Sequence, residues 1–160
     1  MKDNYTPEEL RELFETAVQV GFAVIAASKS GVVGTFDEMR ALVGAPEQIA
    51  QATYPANALI KAMVPDDPSA ELSPDLSKPS LKGPHQLKQE AIEACAAAAQ
   101  LLADKEEGDE AGEYKAWVLH IGESVAGAAK ESMNPFANAI SHDEKAVLRD
   151  CAKALGVEYK

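Results

Sequence analysis

The chain has 160 residues and a hydrophobic fraction of 46%, which suits one globular domain, residues 1–160, built around one core. The formal net charge is −11, from 26 acidic and 15 basic side chains, and this excess of negative charge repels nucleic acid and anionic membrane surfaces. Alanine is abundant and aromatic residues make up 6% of the chain, which favours an all-α fold of closely packed helices.

The first predicted helix begins at Pro7 and runs to about Ser28. Thr6 precedes it as an N-cap, and Glu9 completes a capping box. From Ala17 onward the helix is apolar on almost every side. Because a helix without a polar face is buried on more than one side, we predict a central position for it.

The middle of the chain predicts shorter helices and a long connection. Helices are predicted over 35–42, 46–53 and 55–63, with a bend at Tyr54-Pro55. Residues 64–84 then show neither helical nor strand periodicity and contain several prolines. A loop of this length in a compact domain is usually functional or disordered, and we expect it to connect the two halves of the domain.

Three helices are predicted in the second half, over 86–104, over 111–130 and from Ser141 to Gly156. The helix over 111–130 is apolar on two sides and forms the second predicted central helix. In the last helix Ser141 and Glu144 make another capping box, and Gly156 occupies the C′ position.

Two segments of the chain resemble each other. Residues 20–29 align with residues 121–130, and the identical positions are Gly21/Gly122, Val24/Val125, Ala27/Ala128 and Lys29/Lys130. Both segments are apolar helices that end in a loop, followed by a short helix with an acidic start. The match predicts a pseudo-symmetric bundle of about six to seven helices around two central apolar ones.

No motif in the sequence specifies a reaction. The chain has no P-loop, no Gly-x-Gly-x-x-Gly and no Gly-x-Ser-x-Gly, so no catalytic residue and no organic cofactor is predicted. His120 and Glu123 are three residues apart on one helical surface and could hold a divalent metal together. Di-iron bundles use the opposite order, Glu-x-x-His, on two helices. A surface pair without metal is therefore the alternative interpretation.

The cysteines and the N-terminus indicate a cytoplasmic protein. Cys95 and Cys151 are the only cysteines, and they form neither a disulfide framework nor a CxxC motif. Each is expected to pack as a small apolar residue. The first residues contain no apolar signal region, and the apolar run around 20–27 is too short to span a bilayer.

The end of the chain is similar to the close of TerB-like domains, the tellurite-resistance family. The segment from Ile140 to Leu148 opens a helix with Ser141, carries Glu144, and leads to Leu155-Gly156. In the family, an acidic turn precedes a helix that starts with a hydroxyl residue, carries a Glu and ends in Leu-Gly. The resemblance implies an all-helical, pseudo-symmetric fold and a link to tellurite or stress response.

The first half carries a second, shorter resemblance to the same family. Residues 26–32 look like the family's Ala-x-Ala-Asp-Gly-x-Ile turn. The acidic turn residues that would help to bind metal are replaced here by Ser28 and Lys29 in the first half, and near the second turn only Glu131 is acidic. The resemblance therefore implies the fold rather than a metal site.

Three functional hypotheses follow from the sequence. The first is a non-catalytic, cytoplasmic module of TerB-like type that acts by binding. The second is a small-molecule or metal-binding protein, or an enzyme, with a pocket under the proline-rich connection; its lining would include His120, Glu123, Tyr114 and Trp117. The third is a homodimer, formed through the reverse side of the helix over 111–130 or through the face of 86–104.

Overall fold

The computed structural model of the protein describes residues 5–27, 44, 46–63, 84–105, 109–133 and 142–159. Within these ranges the chain forms helices, turns and irregular backbone, with no β-strand, so the predicted all-α bundle is confirmed. The helices are α1 (Pro7–Ala27), α2 (46–53), α3 (Ala58–Met63), α4 (Pro84–Lys105), α5 (Asp109–Met133) and α6 (His142–Leu155).

The capping box predicted for α1 is present. The Glu9 amide donates to Thr6 Oγ1 at 3.1 Å, and the Thr6 amide donates to Glu9 Oε2 at 2.8 Å. Lys105 at the end of α4 places its Nζ 3.2 Å from the same Glu9 oxygen. The start of α1 is therefore fixed by its own sequence and is also tied to the neighbouring helix.

The predicted C′ position of α6 is also confirmed. Gly156 has a φ of 83°, a conformation that glycine adopts without steric cost. Its amide donates to the Lys153 carbonyl at 3.1 Å, and the Val157 amide donates to the Ala152 carbonyl at 2.9 Å. This is the Schellman arrangement, which satisfies the last carbonyl groups of the helix.

The helix predicted over 55–63 begins later than the sequence suggested. Residues 55 and 56 form a turn, in which the Asn57 amide donates to the Tyr54 carbonyl at 3.1 Å. Asn57 then caps α3, since its Oδ1 accepts from the Ile60 amide at 2.9 Å. An asparagine that satisfies a free amide in this way sets the helix boundary.

The described helices enclose one core. α1 packs against α3, α4, α5 and α6, while α6 also packs against α4 and α5, and α3 against α5. The two predicted central helices, α1 and α5, are thus in contact. None of the helices in the described part of the chain combines the length and apolar character needed to cross a membrane.

Part of the predicted architecture falls outside the described residues. The helix over 35–42, the capping residue Ser141 and the predicted connection over 64–84 all lie there, except that Pro84 begins α4. Among the repeated positions, Gly21, Gly122, Val24 and Val125 are buried, which fits their shared packing role. Lys29 is not described, and the pseudo-symmetry of the two halves stays a prediction.

Candidate functional site

His120 lies on the exposed side of α5, where Tyr54 holds its ring. Tyr54 Oη and His120 Nδ1 are 3.0 Å apart, and the two rings stack with centroids 5.9 Å apart and an interplanar angle of 27°. Tyr54 is itself 7% exposed and follows α2 directly. The contact therefore fixes an exposed imidazole by a buried phenol from a distant part of the chain.

Two carboxylates on α5 flank this pair. Burial raises the pKa of Tyr54, and the negative charges of Glu113 and Glu123 raise it further. The phenol consequently keeps its proton at neutral pH. When it donates that proton to Nδ1, the neutral imidazole carries its own hydrogen on Nε2, away from Tyr54. We call the region formed by the exposed His120, the partly exposed Glu113 and Glu123, and the buried Tyr54 the His120 surface.

Asn57 positions one of these carboxylates. Its Nδ2 donates to Glu113 Oε1 at 3.1 Å and to the Glu110 carbonyl at 3.2 Å. Glu110 Oε2 accepts in turn from the Leu59 amide at 3.0 Å. The first two turns of α5 are thus bound to the start of α3, and Glu113 is held in place beside Tyr54.

Tyr114 and Trp117, expected as pocket lining, are core residues. Both are 0% exposed. Tyr114 Oη donates to the Leu13 carbonyl at 2.7 Å, and Trp117 Nε1 donates to the Pro46 carbonyl at 3.0 Å. Their polar atoms are used to join α5 to α1 and α2. The apolar character of the helix over 111–130 predicted its central position, whereas the pocket under the proline-rich connection had no comparable signal in the sequence.

His120 and Glu123, the predicted metal ligands, lack a third candidate ligand among the described residues. Within the described ranges, no three His, Cys, Asp or Glu side chains gather closely enough to hold a metal ion. His120 and Glu123 would supply two protein ligands, whereas stable sites for divalent transition metals commonly use three or four. The groups that accompany this pair are instead the Tyr54 and Tyr159 phenols, whose pKa values Glu123 raises.

The two cysteines, which the sequence analysis treated separately, meet in the core. Cys95 of α4 and Cys151 of α6 are both free and both 0% exposed, and the Cys151 side chain lies close enough to Cys95 to affect the ionisation of its thiol. This contact and burial raise the pKa of the Cys95 thiol. Each cysteine lies on the apolar face of its predicted helix, but nothing in the spacing indicates that the two faces meet.

Two surface depressions are present among the described residues. One has a volume of about 180 Å³ and lies between α1 and α4, with Glu12, Thr16, Ala97 and Leu101 in its walls. The other is more open, has a volume of about 500 Å³, and lies at the end of α6. Arg149, Lys153, Gly156, Val157, Glu158 and Tyr159 line it.

Comparison of the chain with models of known protein families, with curated proteins and with solved structures gave no match.

Proposed function

We propose that the chain is a non-catalytic helical module that acts by binding, and that the His120 surface binds a positively charged group of a partner protein. The observation that carries the proposal is the contact between Tyr54 and His120. It presents an exposed ring in a fixed orientation, and carboxylates stand beside it. A preformed polar surface of this kind lowers the entropic cost of binding.

A binding role suits the chemistry of the pair better than a catalytic one. The raised pKa of Tyr54 makes its phenolate scarce near neutral pH, so Tyr54 is a weak general base. The two thiols, which are the strongest nucleophiles that the chain offers, are buried in the core, whereas His120 is exposed. Neither thiol is therefore an accessible nucleophile that the exposed imidazole could activate.

The charge of the surface favours a cationic ligand. Glu113 and Glu123 act on Tyr54 from α5, and the whole chain carries a formal charge of −11. The ammonium or guanidinium group of a basic protein segment would gain from the negative charge of both carboxylates and would pack against the exposed imidazole. Such binding would weaken as salt is added, since exposed charges are screened.

The resemblance to TerB-like domains supports a module of this type. It implies a protein linked to tellurite or stress response, and it implies no reaction. Among the family's turn positions, Ser28 and Lys29 lie outside the described residues. The resemblance therefore supports the class of protein, while the contacts around His120 support the location of the binding surface.

Of the two homodimer faces considered from the sequence, the face on α4 is the more exposed. Leu119 and Ala126, on the reverse side of α5, are 6% and 1% exposed and already packed in the core. Ala96 and Ala97 on α4 are exposed and belong to the other face considered from the sequence.

The test is a titration of ¹³C,¹⁵N-labelled protein with a short lysine-rich peptide, observed by NMR at the histidine rings. The His120 resonances should shift while those of His85, also exposed, stay constant. Glu123→Gln should weaken binding by about two- to fivefold. The matched control is Glu93→Gln, which removes an exposed charge on α4. Equal weakening by the two variants, or no shift of His120, would disprove the proposal.

The same labelled protein can be used to test whether His120 belongs to a metal site instead of a surface that binds basic segments. After treatment with a chelator, the protein is titrated with Zn²⁺ in the absence of peptide. Saturation at one equivalent, abolished by His120→Ala, would favour a metal site over a surface for basic segments. Weak binding that His120→Ala leaves unchanged would exclude that site.

A further inference from the structure

The outward side of α6 carries a row of basic side chains in an acidic protein. Lys145, Arg149 and Lys153 are exposed and spaced four residues apart, which places them above one another on one helical face. We call them the α6 basic row. The chain as a whole has 11 more acidic than basic side chains, 26 against 15. Uniform positive charge over two helical turns is therefore a local departure from the rest of the surface.

The acidic neighbour within this stretch of α6 is neutralised by another helix. Asp150 Oδ2 accepts from Lys88 Nζ of α4 at 2.9 Å. Among the described residues, neither Arg149 nor Lys153 takes part in an ion pair. Their charges are thus available at the surface, one turn apart.

The end of the row opens into the larger depression. Arg149 and Lys153 line it together with Tyr159, whose ring is half-buried, and its volume is about 500 Å³. Burial and Glu123 raise the pKa of Tyr159, while the Arg149 guanidinium lowers it, which shows that Arg149 and the phenol are close. A guanidinium, an ammonium and a phenol O–H bordering one depression are all hydrogen-bond donors.

We infer that this depression binds a small molecule that carries a phosphate group, with Arg149 and Lys153 on the phosphate oxygens and Tyr159 against the rest of the ligand. The planar guanidinium matches two oxygens of a phosphate, and the lysine adds a point charge. The volume lies within the range of small-molecule sites. The inference is independent of the function proposed for the His120 surface.

Glu158 is the group that opposes such a ligand. It is exposed and also lines the depression. Its carboxylate repels an oxyanion, so its removal should strengthen binding. A variant that lacks this carboxylate should bind the ligand more tightly, a result that partial unfolding would not produce.

The experiment is an NMR titration of ¹⁵N-labelled full chain with inorganic phosphate and, separately, with phenyl phosphate, at ionic strength held constant with chloride. Amide shifts are expected at Arg149, Lys153 and residues 156–159. Arg149→Gln should weaken binding about tenfold, and Glu158→Gln should strengthen it about threefold. Arg11→Gln makes the same change in net charge at an exposed position on α1 and should leave binding unchanged.

The two ligands separate free phosphate from an organic phosphate. Tighter binding of phenyl phosphate supports an organic ligand that uses Tyr159, and equal binding supports the phosphate group alone. The inference is overturned if these amides do not shift at up to about ten millimolar ligand, or if Arg149→Gln and Arg11→Gln weaken binding equally.

Discussion

Gly122 of α5 lies so close to Leu148 of α6 that a β-carbon at position 122 would stand 2.5 Å from Leu148 Cδ2. The same β-carbon would be 3.4 Å from Val20 Cγ1 and 3.6 Å from Val24 Cγ2 of α1. Three helices therefore meet at a residue that has no side chain. This contact gives a packing reason for the glycine in the second of the two similar segments, residues 121–130.

Gly122→Ala is expected to destabilise the fold. Alanine gains up to about 1 kcal/mol of helix propensity, but Leu148 is 0% exposed and has little room to move, and overpacking costs about 1–3 kcal/mol. We expect a net loss of about 1 kcal/mol in urea unfolding. Gly112→Ala is the control, since nothing lies within 4 Å of its β-carbon and it should stabilise slightly. Equal effects of the two substitutions would contradict the packing argument.

Tyr114→Phe should lower stability through one lost hydrogen bond. The phenol is fully buried and donates to the Leu13 carbonyl, and a bond of this kind contributes about 1 kcal/mol. Tyr159→Phe removes a hydroxyl from a half-buried ring and should change the free energy of unfolding by less than about 0.5 kcal/mol. Chemical denaturation of both variants tests whether Tyr114 is structural; an unchanged midpoint for Tyr114→Phe would argue against it.

Asn57 both caps α3 and donates hydrogen bonds to α5, and two substitutions separate these roles. Asn57→Ala removes the cap of α3 and the bonds to α5, and we expect a loss of about 2 kcal/mol. Asn57→Asp keeps an oxygen for the Ile60 amide but loses the donor and places a second carboxylate beside Glu113. Asn57→Asp should therefore be only slightly more stable than Asn57→Ala at neutral pH. If Asn57→Asp is as stable as the natural protein, the bonds to α5 contribute nothing measurable.

The thiols should be unreactive while the protein is folded. Cys95 and Cys151 are both 0% exposed, and the raised pKa of Cys95 keeps its thiol protonated. Reaction with Ellman's reagent at neutral pH is expected to be slow in buffer and complete, at two thiols per chain, in denaturant. Rapid labelling of either cysteine in buffer would show that α4 and α6 separate more readily than their packing indicates.

Stability should fall at alkaline pH. Burial raises the pKa of Tyr114 well above its ordinary value of 10.0, and contact with Cys151 and burial raise that of Cys95 above 9.0. Above about pH 9 the unfolded chain loses these protons while the folded chain keeps them. The contribution to stability is therefore complete below that pH and declines above it. Urea unfolding at pH 7 and at about pH 10.5 checks the sign, and Tyr114→Phe should reduce the slope.

Local signals in the sequence identified the helices well and the contacts between them poorly. The capping box at Thr6 and Glu9 and the C′ glycine at position 156 act within a few residues, so they can be read without the fold. The bond between Tyr54 and His120 spans 66 residues. Periodicity shows which face of a helix is apolar, but it does not show which other helix packs against that face.

Trp117 is the only tryptophan of the chain, and its indole N–H is bound to the Pro46 carbonyl at the start of α2. The protein therefore contains a single indole fluorophore, and the tryptophan emission reports on one particular junction. Separation of residues 46–53 from α5 would admit water to the indole and move the emission to longer wavelength. If that change preceded the loss of helical circular dichroism, it would distinguish undocking of one short helix from melting of the bundle.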